Sequence, residues 1–131
     1  MRLTKYVSLF VLLLLGSITA AQEVHNFKMD PEKTDCDQIE LTDNLNENIQ
    51  LIEQSTFRFK QSIKISRYHV PNNVAYYSCD GISGYLIAQE NDSSLLFQNV
   101  RKTLYDSLIS SDDPIQFYAN HIKTKLKNQY E

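Results

Sequence analysis

A short apolar run near the N-terminus limits what the rest of the chain can fold into. Arg2 and Lys5 precede apolar residues at 7–15, and a small-x-small cleavage pattern ends at Ala21. The run is under half of the roughly 20 apolar residues that a membrane span requires. We therefore predict that residues 1–21 are a cleaved signal peptide and that the protein is secreted or periplasmic, with no stable membrane insertion after cleavage.

Cleavage leaves a short, acidic chain. Of the 131 residues, 110 remain, which suffices for one compact domain and excludes two independent cores or a doubly wound nucleotide-binding fold. These 110 residues carry 11 Lys and Arg against 16 Asp and Glu, a net charge of −5. Because this charge repels polyanions, we expect no nucleic-acid partner.

The two cysteines, Cys36 and Cys79, form an even pair in an oxidising compartment. We predict an intramolecular disulfide between them. A reactive thiol is a less favoured alternative, because Asp35, Asp37 and Asp80 adjoin the cysteines and neighbouring carboxylates disfavour the thiolate. Two unpaired thiols are the other alternative. Two cysteines without clustered histidines do not predict a zinc site.

The mature chain is predicted to begin with an arm and a helix. Residues 22–35 contain few apolar residues and no period, which indicates a flexible acidic arm before a single domain at 36–131. Asp37 and Glu40 match a capping box, so we predict that the first helix starts at Asp37. Its apolar face consists of Leu41, Leu45, Ile49 and Ile52.

From residue 56 the hydrophobic period changes to two, which indicates β-strands. In the first strand, at 56–66, one side is apolar and the other polar. The apolar side consists of Phe57, Phe59, Ile63 and Ile65. Further strands are predicted at 74–79, 85–89 and 95–100, with turn residues between them. Because the connections are short, we predict an antiparallel meander.

Two helices are predicted after the sheet. The first lies near 101–110, and the second begins after Asp112 or Asp113, either of which can cap it, with Pro114 in its first turn. The apolar stripe of the second consists of Ile115, Tyr118, Ile122 and Leu126. The predicted fold class is α+β, with an N-terminal helix, a four-stranded antiparallel meander and two C-terminal helices packed on one sheet face.

The sequence contains no strong motif for catalysis, for a cofactor or for a metal. His25, His69 and His121 are isolated, without partners at metal-ligand spacing. Asp112 and Asp113 are better explained as helix caps than as paired catalytic carboxylates. We predict no catalytic residue, no cofactor and no metal site. A small hydrolase-like enzyme that uses His121 with Asp112 or Asp113 is the alternative.

Two sets of side chains are candidates for binding. Arg58, Lys60 and Lys64 project from the polar side of the first strand and could receive an anionic ligand or the acidic patch of a partner. Compensation by the nine acids between Glu23 and Glu53, or plain solvation, is the alternative. The second set is aromatic and consists of Tyr76, Tyr85, Phe117 and Tyr118. The alternative is that these side chains are half-buried in the core and do not bind a partner.

Four segments in the C-terminal half resemble the KTSC domain, a short domain also found at the C-terminus of some lysyl-tRNA synthetases. They lie at 84–87, 95–100, 104–108 and 111–123. The resemblance covers roughly residues 74–126 and is strongest at the Phe117-Tyr118 pair and at Ile122-Lys123. The chain departs from the family pattern at Arg101, Asp113, Ile115 and Ala119.

The resemblance implies a small accessory or binding domain with no established catalytic activity. We therefore expect a secreted, non-catalytic module that contacts a protein or ligand, and we expect its partner to be another secreted or periplasmic protein. An inhibitor or immunity partner of a secreted protein is a second reading of the same residues. An RNA role by analogy with the synthetase is disfavoured by export and by the net negative charge.

Overall fold

The computed structural model describes residues 34–126. The predicted signal peptide at 1–21, residues 22–33 of the predicted arm and His25 lie outside this range. The elements are, in chain order, a 3₁₀ turn at Cys36–Gln38, helix α1 at Leu45–Gln54, strands β1 at Phe59–Lys64, β2 at Asn73–Ser78, β3 at Ser83–Glu90 and β4 at Ser93–Arg101, helix α2 at Lys102–Ser110, and helix α3 at Pro114–Phe117, which continues as a π-helical segment at Tyr118–Lys123.

The predicted α+β fold class is confirmed. One helix precedes the sheet and two follow it, and the strands form one antiparallel sheet in the order β1-β2-β3-β4. The short connections favour this order: eight residues join β1 to β2, four join β2 to β3 and two join β3 to β4, which suits neighbouring antiparallel strands.

Helices cover both faces of the sheet. The C-terminal core lies between the sheet and the two later helices, as predicted, and it includes Val74, Tyr76, Leu86, Phe97, Val100, Tyr105, Leu108, Tyr118 and Ile122. The N-terminal core lies on the opposite face, against α1, and it includes Ile52, Tyr77, Ile87 and Leu96. Because β2, β3 and β4 are apolar on both sides, their sequences read as nearly continuous hydrophobic runs.

A stacked tyrosine pair anchors α2 on the sheet. The Tyr76 and Tyr105 rings lie 4.8 Å apart between centroids and are nearly parallel, at 11°. The Tyr76 hydroxyl donates to the carbonyl oxygen of Val100 at 2.8 Å, so that its polar end is satisfied inside the core. Burial of each such ring stabilises the fold by roughly 1.5–3 kcal/mol.

Helix α1 begins later than predicted. The prediction of a start at Asp37 is wrong, since the helix begins at Leu45 and the side chain of Asn44 caps it by accepting from the backbone N–H groups of Asn46 and Glu47. Near Asp37 the chain instead pairs its backbone with Thr56, because the N–H of Cys36 donates to the Thr56 carbonyl at 3.1 Å. This pairing holds the chain extended at Asp35, and only a single 3₁₀ turn, at Cys36–Gln38, follows it.

The first strand is also shorter than predicted. It begins at Phe59, and the predicted common side for Phe57 and Phe59 is wrong. Phe57 packs in the N-terminal core, with its ring centroid 5.4 Å from that of Tyr77. Phe59 is paired with Ser78, whose side lies opposite that of Tyr77. The alternation therefore breaks at Arg58, where the chain enters the sheet.

The disulfide predicted between Cys36 and Cys79 is present. It joins the segment before α1 to the residue that follows β2. Thr34 and Asp35, which we assigned to the arm, form a parallel bridge with Thr56 at the same place. The covalent bond and the bridge together fix the start of the domain.

The turn after β2 is held by one carboxylate. Asp80 accepts from the backbone N–H groups of Ile82 at 2.8 Å and Ser83 at 3.1 Å, while Gly81 takes a φ of 75°, which favours glycine. These backbone hydrogen bonds stabilise the ionised form and hold the pKa of the Asp80 carboxyl below its ordinary value.

We predict that the double variant Cys36→Ala/Cys79→Ala loses roughly 4 kcal/mol of unfolding free energy, because the bond spans 43 residues and restricts the unfolded chain. Urea denaturation of the variant and the parent measures this loss. Alkylation of the unreduced exported protein, followed by intact mass, provides the check. Two modified thiols would contradict the disulfide.

A second prediction concerns Asn48, which is fully buried at the start of α1. Its Oδ1 accepts from the Thr42 N–H at 2.8 Å and its Nδ2 donates to the Thr42 carbonyl at 2.7 Å. Asn48→Ala removes these bonds and should cost about 1–3 kcal/mol of unfolding free energy. The matched control is Asn46→Ala, at an exposed position of the same helix. Equal stability of the two variants would contradict this account.

The lowered pKa of Asp80 makes stability depend on pH. A carboxyl whose folded-state pKa is depressed contributes stability above its unfolded pKa of about 3.9 and loses it as the pH falls through the folded value. Asp80→Asn keeps an oxygen acceptor without a titrating group, so we expect a shallower loss of stability in acid. Denaturant midpoints measured over the acid range test this, with Asp112→Asn as control. Identical acid slopes for the parent and Asp80→Asn would contradict the prediction.

Candidate functional site

Strand β1 is exposed along its whole length. Each of its six residues is exposed, whereas β2, β3 and β4 all contain buried residues. β1 and β4 are the two edge strands of the sheet, and each has a strand neighbour on one side only. A solvated edge strand is the part of a sheet most available to another molecule.

The predicted cations lie along this strand. Lys60 pairs with Tyr77 and Lys64 with Asn73, so both lysine side chains project from the α1 face of the sheet. Arg58 is exposed immediately before the strand. We call these three residues, Arg58, Lys60 and Lys64, the cationic edge.

The cationic edge has no ion-pair partner within residues 34–126. The salt bridges of this part of the chain join Lys102 to Asp106 and Lys123 to Glu90. Lys60 instead places its Nζ 5.4 Å from the centroid of the Tyr77 ring. The acids described between residues 34 and 53 therefore do not neutralise the cationic edge by direct contact.

An open cleft of about 740 Å³ continues from the end of β1. Its floor follows from the strand register, because Lys64, Asn73 and Gln89 are paired in turn across three strands and share one face. Arg67 and the acid Asp92 add groups of opposite charge from the adjoining loops. We call this region the polar cleft, and it extends the cationic edge with amide donors and acceptors.

The residues around the polar cleft are joined to one another by hydrogen bonds. Asn72 Oδ1 accepts from the backbone N–H of Asn91 at 2.6 Å, and Ser62 Oγ is 3.2 Å from Asn73 Oδ1. The Asn72–Asn91 bond fixes the loop that carries Arg67 against the turn after β3, and the Ser62–Asn73 bond joins β1 to β2. Sequence reasoning missed the cleft, because its residues come from four segments and only the register brings them together.

Two of the predicted aromatic contact residues belong to the closed core. Tyr76 and Tyr118 are each 1% exposed. The Tyr118 hydroxyl donates to Glu90 at 3.0 Å, and Glu90 also pairs with Lys123 at 2.9 Å. Burial and the Glu90 carboxylate raise the pKa of the Tyr118 hydroxyl. A partner could reach these rings only by opening the core.

The other two predicted aromatic residues are half-buried. Tyr85 meets Phe57 edge to face at 6.1 Å and borders a smaller cavity of about 210 Å³ beside the disulfide. Phe117 packs on His121, with 4.6 Å between ring centroids. Phe117 packs against the C-terminal core and Tyr85 against the N-terminal core, so the two lie on opposite faces of the sheet and do not form one patch. Tyr85 pairs with Tyr77, the strand partner of Lys60, so it lies on the same face as the two lysines of the cationic edge.

The residues of the enzyme alternative do not converge. Asp113 caps α3 by accepting from the Gln116 N–H at 3.1 Å. His121 is exposed, and its Nδ1 lies 3.4 Å from Lys125 Nζ. No hydrogen bond joins His121 to Asp112 or Asp113 in the described part of the chain, so no acid–base pair is assembled there.

The disulfide also decides how the nearby acids are interpreted. Potential ligand atoms of Asp35, Cys36, Asp37 and Cys79 lie within 4.8 Å of one another. The two sulfur atoms are bonded to each other and have no thiolate to offer. Two exposed carboxylates then remain, which is a common surface arrangement and carries no metal assignment.

The chain matches no protein-family model, no curated protein and no solved structure. The similarity to the KTSC domain therefore remains a prediction from the quoted motifs. Within residues 34–126, no helix has the length and apolar character needed to cross a membrane.

Proposed function

We propose that the protein is a secreted, non-catalytic accessory module that acts by contact with another secreted or periplasmic protein. The contact surface is the cationic edge together with the polar cleft. One observation carries the proposal, namely that Arg58, Lys60 and Lys64 are exposed in a row without an ion pair in the described chain. An acidic surface on a partner would complete this row.

Charge placement supports a partner of opposite sign. Residues 54–131 carry nine Lys and Arg against seven Asp and Glu, so the negative charge of the chain resides before the sheet. Exposed cations in a row raise the rate at which an acidic partner approaches, and they make its affinity fall with ionic strength. Export disfavours nucleic acid as that partner, and the disulfide supports an oxidising compartment.

The proposal includes inhibitors and immunity partners as special cases, because these also act by contact. The KTSC resemblance supports an accessory role in the same way. The enzyme alternative has no support from the site, since Asp113 caps a helix and His121 packs on Phe117 at the surface.

We predict that capture of a partner from the export compartment depends on the cationic edge. The exported protein serves as bait beside two charge-matched variants, Lys60→Glu/Lys64→Glu and Arg101→Glu/Lys125→Glu. Each variant changes the net charge equally, and all four positions are exposed. A partner retained by the parent and the second variant, lost by the first, and weakened by salt supports the proposal.

Two outcomes would overturn it. One is equal capture by all three proteins, and the other is recovery of no partner by the parent. Circular dichroism of each bait establishes that the variants are folded, so that loss of capture reports on the surface.

A further inference from the structure

The free edge of β1 can be identified residue by residue from its hydrogen bonds. The N–H of Ile65 donates to the carbonyl of Asn72 at 2.9 Å, which continues the β1–β2 register by one pair. In an antiparallel ladder, backbone groups point towards the neighbour at every second residue. The backbone groups of Lys60, Ser62 and Lys64 therefore point away from β2, towards the open side.

Just before β1, the chain already holds one backbone partner. Thr56, three residues before the strand, donates its N–H to the Thr34 carbonyl at 3.0 Å and accepts from the Cys36 N–H at 3.1 Å. This parallel bridge stops where the chain enters the 3₁₀ turn that begins at Cys36. From Phe59 to Lys64, no residue in 34–126 forms a strand on the open side.

We propose that an extended acidic segment of the partner adds to β1 as a fifth, antiparallel strand. This rests on the proposed function and names the chemistry of its partner. The backbone of the segment would pair with Lys60, Ser62 and Lys64, and strand addition to a free edge supplies affinity through these main-chain hydrogen bonds. Opposite charges facing each other across strands add to that affinity.

The two faces of β1 specify the partner's sequence. Acids opposite Lys60 and Lys64 must be four residues apart, because they share one face of the strand. Apolar residues are required opposite Phe59 and Ile63, which are 38% and 37% exposed and lie on the other face, where a fifth strand would cover them. Read along an antiparallel partner, the pattern is acid, apolar, two polar residues, acid, apolar.

A second copy of this chain does not satisfy that pattern. An antiparallel β1–β1 pair centred on Ser62 would place Lys60 opposite Lys64, and a shift of the register by one pair towards the N-terminus would place Arg58 opposite Lys64. Like charges directly opposite each other destabilise a strand pair. Lysines on an edge strand also disfavour pairing with strands of other proteins. An acidic strand can pair because its carboxylates neutralise the lysine charges.

The test uses the purified exported protein and the synthetic peptide Glu-Val-Thr-Thr-Glu-Val. Its control, Glu-Val-Thr-Glu-Thr-Val, has the same composition but places the acids on opposite faces. We expect the first peptide to slow amide hydrogen exchange at Lys60, Ser62 and Lys64, with little change at Gln61 and Ile63, which already face β2. We expect the control peptide to bind at least about tenfold more weakly.

Two variants separate backbone pairing from charge. Ser62→Pro removes an outward N–H at a position where an edge strand tolerates proline, and it leaves both lysines in place. Ser62→Ala is the matched control and keeps the N–H. We expect the Pro variant to lose peptide binding by at least about tenfold and the Ala variant to bind like the parent. Equal binding by both variants would overturn strand addition.

The remaining outcomes identify other occupants. If the amides of Lys60, Ser62 and Lys64 exchange slowly before any peptide is added, residues 22–33 or a second copy occupies the edge and the proposal is overturned. Sedimentation then distinguishes these two. If neither peptide binds and the captured partner leaves exchange at β1 unchanged, strand addition fails while the contact function stands. If no charge-dependent partner is captured, strand addition and the proposed contact function are both overturned.

Discussion

The structure depends on burial of the sheet from both sides. The N-terminal and C-terminal cores meet across β2, β3 and β4, so these three strands have no solvated face through most of their length. Burial of apolar area is the main favourable contribution to the folding free energy of a domain of this size. Here apolar area is buried on both faces of a single β-sheet. The helices are therefore required on both sides.

The cationic edge is a consequence of that arrangement. Neither core extends across the sheet to cover β1, so this strand remains exposed. Its lysines lie on the α1 face, and the partly exposed Phe59 and Ile63 lie on the other face. Within residues 34–126, β1 is thus an exposed edge strand whose charges and outward backbone groups face solvent, and this supports a contact function.

Local sequence pattern predicted the elements whose burial is periodic. The meander, the α2–α3 order and the apolar stripe through Tyr118 and Ile122 follow from period and turn chemistry, and Asp113 caps α3 as its position before Pro114 indicates. The start of α1 could not be predicted in this way. Asp37 and Asn44 are both acceptable caps, and the pairing of Cys36 with Thr56 chooses between them. Phe57 changed sides for a similar tertiary reason.

The candidate site could not be predicted from local sequence pattern. Lys60 and Lys64 were evident as cations, but only the register and the ion pairs of the described chain show that they lie unpaired on one face of an open edge. The most direct measurement is hydrogen exchange of the protein alone and bound to its captured partner. We predict slowed exchange within β1, at Lys60, Ser62 and Lys64. Slowed exchange confined to α2 and α3, with β1 unchanged, would contradict it.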